Sequence, residues 1–191
     1  DAFTNIWRRN VDNDFFNGLV LSAQIGWRDV SVLRSYAAYM KQIAFPFSKR
    51  AITKSLMTYP KIAQQLVALF YLRFQPVNDS QAEAKQYYEE KRQLNEDLEA
   101  VSNLNDDRIL RQYLTLIEAT VRTNYFQYDD GKHKSYISFK LNPQNIPDVP
   151  EPRPLYEIFV YSNRVEGVHL RGGKVARGGL RWSDRVEDFR T

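Results

Sequence analysis

The sequence of 191 residues lacks cysteine altogether and contains only two histidines. The absence of cysteine excludes disulfide bonds, thiolate metal ligands and a cysteine nucleophile. His133 and His169 are too far apart in the sequence to indicate a zinc site. The longest apolar run, residues 66–72, is far shorter than the roughly 20 residues that cross a bilayer. We therefore expect a cytoplasmic protein without a membrane partner.

The composition is that of a folded protein with a weak positive charge. Hydrophobic residues make up 43%, aromatic residues 14% and charged residues 26% of the chain, so disorder is not indicated. The formal net charge is only +4, and the positive charge is concentrated near the C-terminus. Because the sequence begins without methionine and stops within a pattern, we interpret it as a fragment of a longer protein.

Apolar residues recur at three- and four-residue intervals through most of residues 1–123, which predicts helices. Gly26 and Pro46 are expected to end helices, whereas Ser48 is a suitable N-cap and Pro60 suits a first helical turn. The predicted helices cover residues 14–25, from 29 or 31 to 45, 48–57, 60–74, 81–101, and from a cap at 105, 106 or 107 to 121.

The predicted helix 81–101 is polar, and its apolar residues are widely spaced. The interval from Tyr87 through Leu94 to Val101 is seven residues, which is compatible with a coiled-coil seam. Since the run is short, a helical arm surrounded by solvent is the favoured interpretation.

The periodicity changes to that of strands after Thr123. Strands are predicted at 125–128 and 135–141 around an Asp-Gly turn, and again at 155–161 and 165–170. Five prolines between them predict an extended connector over 142–154. The predicted fold class is therefore α+β, with a helical region (1–123) followed by antiparallel strand pairs that begin a β-containing domain (124–191).

The most informative segment contains two glycine pairs, Gly172-Gly173 and Gly178-Gly179, each beside an arginine. Glycine pairs let the backbone approach a ligand closely and present its N–H groups. Guanidinium groups hold carboxylates through two parallel hydrogen bonds. Five basic residues but only one acid, Glu166, occur between residues 164 and 181, which favours a small anionic ligand; the basic residues are Arg164, Arg171, Lys174, Arg177 and Arg181. The alternative is a tight hairpin with solvated arginines.

The run 167–185, followed by 187–191, closely resembles the large bacterial class of NAD-dependent glutamate dehydrogenases. Residues 107–111, 122–126 and 152–161 resemble the same family. The resemblance implies a parent enzyme, expected to be a homo-oligomer, that oxidatively deaminates L-glutamate to 2-oxoglutarate and ammonia with reduction of NAD. It also implies that the catalytic residues and the NAD-binding domain lie downstream of Thr191, so that this fragment is inactive alone.

The family's substrate motif, Lys-Gly-Gly-hydrophobic-Arg, falls on residues 177–181 of this sequence. The resemblance therefore implies that Arg177, Gly178, Gly179 and Arg181 bind the substrate. Arg177 replaces the lysine of the smaller enzymes with a planar guanidinium. Lys174 is a second candidate for the lysine's role, although it lies three residues earlier.

Two other functions remain open from the sequence. In one, the helical region is an assembly or regulatory module. In the other, the C-terminal arginines bind nucleic acid. Among the remaining polar residues, His169 is a candidate for orienting the glycine loop, whereas charge pairing with nearby arginines is expected of Asp184, Glu187 and Asp188.

Overall fold

The computed structural model describes residues 2–8, 11–76, 80–147, 149–151, 153–172 and 181–182. Helices come first in the chain and antiparallel strands follow, which confirms the predicted α+β class. In chain order the elements are α1 (Ala2–Trp7), a 3-10 helix (Phe15–Gly18), α2 (Leu19–Ser22), α3 (Trp27–Gln42), α4 (Lys49–Thr58), α5 (Pro60–Phe74), α6 (Ser80–Glu99), α7 (Leu104–Ala119), β1 (Thr120–Thr123), β2 (Tyr128–Asp129), β3 (Lys132–His133), β4 (Ile137–Leu141), a second 3-10 helix (Pro143–Asn145), β5 (Tyr156–Tyr161), β6 (Glu166–Arg171) and β7 (Arg181–Trp182).

The capping signals place α4 and α5 as predicted. The hydroxyl of Ser48 accepts a hydrogen bond from the amide of Ala51, and Pro60 occupies the first turn of α5. The prediction for 14–25 was wrong in extent, because a 3-10 turn and the short α2 stand there instead of one helix. Gly26 is also the N-cap of α3, and its amide donates a hydrogen bond to the carboxylate of Asp29.

Helix α6 is not an arm surrounded by solvent along its whole length, so the favoured interpretation of 81–101 was wrong for its second half. Leu94 and Leu98 are fully buried in the main hydrophobic core. The carboxylate of Asp97 accepts hydrogen bonds from Lys61 and Gln65 of α5. Leucines four residues apart form a narrow apolar stripe that suffices to dock the helix.

Five strands form one antiparallel sheet in the order β1-β4-β5-β6-β7, and β2 and β3 form a separate hairpin. The Asp-Gly turn is confirmed, with Asp130 at φ 47° and Gly131 at φ 70°, as a two-residue type I′ turn requires. The predicted pairing of 125–128 with 135–141 was wrong. Strand β4 pairs instead with β1 and β5.

Helix α3 covers one face of the sheet. The ring of Tyr36 stacks on Phe139 of β4, and the ring of Tyr39 packs edge-on against Phe159 of β5. The core thus contains side chains from helices and strands alike. The division near residue 123 remains a prediction.

The proline-rich segment 142–154 differs from the extended connector that its composition predicts. Its first part is a 3-10 turn, Pro143–Asn145, in which the side chain of Asn142 accepts a hydrogen bond from the amide of Gln144. Ile146 and Val149 are 0% and 3% exposed and belong to the core. The segment therefore packs against the domain through Ile146, Val149 and the buried ring of Pro143.

Candidate anion-binding site at one end of the sheet

The glycine motif connects the last two strands of the sheet. Strand β6 ends at Arg171 and is followed by Gly172, and the chain returns in β7, where Arg181 pairs with Val168 and Trp182 with Gly167. The predicted loop therefore begins at the end of a strand, as expected from the sequence, and rejoins the edge of the same sheet. This end of the sheet also contains the start of β5, because Tyr156 pairs with Arg171.

Most of the predicted substrate-binding residues lie outside the described part of the chain. Lys174, Arg177, Gly178 and Gly179 are among them, and Arg181 is described only through the backbone pairing of β7. The predicted charge pairs of Asp184, Glu187 and Asp188 also lie outside it. Their ligand contacts remain predictions.

A cluster of three cations lies at this end of the sheet, on the face opposite α3, and only one of them, Arg171, was singled out from the sequence. Arg122 of β1 and Lys140 of β4 are paired directly across the two strands. Arg171 of β6 belongs to the same face, because side chains alternate along a strand and α3 contacts the alternate positions. We call Arg122, Lys140 and Arg171 the basic face. The sequence could not show that Arg122 and Lys140 share a face, because it does not reveal that β1 pairs with β4.

The three cations of the basic face act on one another electrostatically. Burial lowers the pKa of the Lys140 ammonium, and the nearby charges of Arg122 and Arg171 lower it further. The Lys140 Nζ lies 3.8 Å from the centroid of the Tyr156 ring, a cation-π contact that partly offsets this repulsion. Like charges directly opposite each other destabilise a sheet. A bound anion would remove that cost.

The acids of these strands lie on the other face. Glu157 is 1% exposed, and its Oε2 accepts a hydrogen bond of 2.6 Å from the hydroxyl of Tyr39. The Oε1 of Glu166 accepts one of 2.7 Å from Gln42. Both partners belong to α3. In the described parts of β1, β4, β5 and β6, the face that bears Lys140 contains no aspartate or glutamate.

The two histidines have different surroundings. His169 lies on β6 opposite Ile158, on the same face as Lys140, and directly precedes the residues that lead into the glycine loop. His133 lies in β3 with its ring 4.3 Å from that of Tyr128. Burial lowers the pKa of His133, and the charge of Arg28 adds to the effect. Within the described ranges, no group of three His, Cys, Asp or Glu residues is placed to hold a metal ion.

Comparison with known proteins identifies the class of protein to which this arrangement belongs. Residues 93–191 match the family model described as bacterial NAD-glutamate dehydrogenase, catalytic domain, and residues 11–76 match glutamate dehydrogenase, helical motif 3. Both family models describe parts of glutamate dehydrogenases. The chain belongs to the bacterial NAD-glutamate dehydrogenase family, which confirms the resemblance drawn from residues 167–185.

Individual relatives agree with the family match. The chain is 53% identical to the NAD-specific glutamate dehydrogenase of Halomonas elongata, 55% identical to that of Pseudomonas aeruginosa and 47% identical to that of Mycobacterium tuberculosis. Each match covers 100% of this chain but only 12% of the relative.

Among the described residues, no helix is long and apolar enough to cross a membrane.

Proposed function

We propose that this chain is part of an enzyme that oxidatively deaminates L-glutamate to 2-oxoglutarate and ammonia while reducing NAD. The relatives' name, NAD-specific glutamate dehydrogenase, supports this reaction. NAD would bind in a domain downstream of the chain, as the family resemblance implies. We further propose a cytoplasmic homo-oligomer that acts in glutamate catabolism and needs neither nucleic acid nor membrane as partner.

Within that enzyme, the loop between β6 and β7 would hold a substrate carboxylate. Arg177 and Arg181 would supply charged donors, the amides of Gly178 and Gly179 would supply backbone donors, and Lys174 would be a further cation. The observation that carries this proposal is the pairing of β7 with β6, which anchors both ends of the loop to one sheet. A substrate held on a rigid element loses its translational and rotational freedom before hydride transfer. This loss lowers the entropic part of the activation barrier.

The basic face would assist by attracting the substrate. Both L-glutamate and 2-oxoglutarate carry two carboxylates, and the positive potential of Lys140, Arg122 and Arg171 lies beside the strand that leads into the loop. Surface cations near a site raise the rate of encounter with an anion, and the effect decreases as salt is added.

The test is the oxidation of NADH by the full-length parent protein in the presence of 2-oxoglutarate and ammonium, with Arg177→Ala and Arg177→Lys measured in parallel. If Arg177 binds a carboxylate, Arg177→Ala raises the KM for 2-oxoglutarate at least about tenfold. Arg177→Lys restores the charge and part of that loss.

Each outcome of this test has a defined meaning. If the full-length protein is well folded but inactive, the proposed reaction is contradicted. If it is active and both variants have the same KM for 2-oxoglutarate as the unaltered protein, the reaction stands but Arg177 does not bind a substrate carboxylate. Lys54→Gln, which removes an exposed cation of α4, is the control for nonspecific charge effects.

A second role, assembly, is favoured by exposed apolar side chains near the start of the chain. Phe3, Trp7, Phe15 and Leu21 are 71%, 79%, 70% and 85% exposed. Contiguous apolar surface often marks a protein interface, and the rings of Phe3 and Trp7 are stacked on each other. If they join subunits, Trp7→Ser with Leu21→Ser lowers the mass of the full-length protein in light scattering. Tyr88→Ser, at a residue 70% exposed on α6, should leave it unchanged.

A further inference from the structure

A cavity of about 660 Å³ lies at the end of the sheet where the chain turns from β5 into β6. It is bordered by the start of α3, the β2–β3 hairpin and the turn between β5 and β6. Ile137 and Tyr161 are paired at this end of the sheet, whereas Tyr156 and Arg171 are paired at the other. Strand β6 separates the two ends by about 17 Å, at roughly 3.4 Å per residue. The cavity therefore lies at the opposite end of β6 from Arg171 and Gly172, where the glycine motif begins.

The lining of this cavity is strongly cationic. Among the described residues that line it, only Asp12 carries a carboxylate, and this group accepts a hydrogen bond from the hydroxyl of Tyr161. Five cationic side chains line the same space: Arg28, Arg34, Lys132, Lys134 and Arg164.

Two of the five cations are already neutralised. Arg34 forms an ion pair with Asp14 at 2.9 Å, and Lys134 forms one with Asp129 at 2.7 Å. Within the described residues, Arg28, Lys132 and Arg164 form no ion pair. The cavity thus has unbalanced positive charge contributed by three separate elements.

Arg28 fixes the geometry of this site. Its Nη2 donates to the carbonyl oxygen of Tyr125 at 2.6 Å, and its guanidinium carbon lies 4.5 Å from the centroid of the Tyr125 ring. Its Nε is buried and has no hydrogen-bond partner among the described residues. Buried donors without acceptors are rare because they cost free energy. The contacts with Tyr125 hold the Arg28 guanidinium in place beside the cavity.

We propose that this cavity binds a small organic or inorganic polyanion, with Arg28, Lys132 and Arg164 as its cationic contacts. The volume lies in the range of small-molecule sites. Three cations from different elements suit a ligand with two or more anionic groups, the shared chemistry of dicarboxylates and phosphate compounds. This site does not depend on the proposed reaction.

The test is calorimetric titration of the full-length protein with succinate and, separately, with inorganic pyrophosphate. The proposal predicts saturable binding of at least one probe with a Kd below about 1 mM. Lys132→Gln with Arg164→Gln should weaken this binding at least about tenfold. Both substitutions are at exposed positions, and Arg164→Gln alone serves if the double variant does not fold. The probe that binds identifies the ligand as a carboxylate or a phosphate compound.

Two control variants separate this site from the alternatives. Lys54→Gln removes a cation outside the cavity and should not change binding, and neither should Arg177→Ala in the glycine loop. The proposal is overturned if neither probe binds, if the cavity variants bind as the unaltered protein does, or if Lys54→Gln weakens binding equally. It is also overturned if Arg177→Ala alone abolishes binding, because the probes would then occupy the substrate loop.

Discussion

The rings of Tyr36 on α3 and Phe139 on β4 lie parallel, with centroids 4.3 Å apart and planes inclined by 3°. Both residues are fully buried, and the Tyr36 hydroxyl shares a hydrogen bond of 2.9 Å with the hydroxyl of Thr120. This contact joins the helical part of the chain to the sheet. The position of the sheet, and with it the start of the glycine loop, therefore depends on α3.

Phe139→Ala should destabilise the chain severely, because it removes the ring that Tyr36 stacks on and leaves a cavity in the core. The expected loss in the free energy of unfolding is about 3–5 kcal/mol. Tyr36→Phe, which retains the ring and removes one hydrogen bond, should cost about 1 kcal/mol. Urea denaturation of the 191-residue chain measures both. Similar losses from the two variants would contradict a dominant role for the stacked rings.

Arg34 should be essential to the fold. It is 1% exposed, and its Nε and Nη2 both donate to the carboxylate of Asp14. Arg34→Met should cost about 3–5 kcal/mol, since it removes one partner of a buried ion pair. Lys49 also contacts Asp14 but is 55% exposed, so Lys49→Met should cost no more than about 1 kcal/mol. Equal losses in urea denaturation would contradict this assignment.

The carboxylate of Asp14 should make the free energy of unfolding depend on pH. Burial alone would raise the pKa of Asp14, but hydrogen bonds and charges from Arg34 and Lys49 outweigh it and lower the pKa below 3.8. Because the folded pKa is the lower one, this stabilisation is complete above the unfolded value and is lost as the pH falls through the folded value. Asp14→Asn should flatten the fall in stability below a pH of about 4. An unchanged slope would contradict the prediction.

A side chain at position 131 should strain the β2–β3 turn. Its φ of 70° lies in the left-handed region, where an added Cβ costs about 1–2 kcal/mol. Gly131→Ala should lower the free energy of unfolding by about that amount, although no described residue other than its two chain neighbours lies within 4 Å of the added Cβ. Gly172→Ala is the matched control, because its added Cβ also meets no described residue within 4 Å beyond its chain neighbours but its backbone is not left-handed.

Lys140→Gln should change the kinetics of the full-length enzyme through the basic face. We expect kcat/KM for 2-oxoglutarate to fall at least about threefold at low salt, with the difference from the unaltered enzyme decreasing as salt is added. Lys140→Arg should retain the effect of the charge. Steady-state kinetics at two ionic strengths would show this, and a loss that is independent of salt would indicate a structural role for Lys140 instead.

The sequence by itself determined the local elements and the family. Ser48 and Pro60 marked the starts of α4 and α5 because capping depends on neighbouring residues alone, and Asp130-Gly131 predicted its turn for the same reason. The motif at 167–185 identified the family, since a long run of glycine and arginine at fixed spacing is specific.

Only the tertiary structure decided which elements meet. The docking of α6 through Leu94 and Leu98, and the pairing of β4 with β1 and β5, depend on contacts between distant parts of the chain. Periodicity shows which face of an element is apolar but not what covers it. The basic face and the cationic cavity became visible only when the strands and helices that carry them were placed together, because their charges are far apart in the sequence.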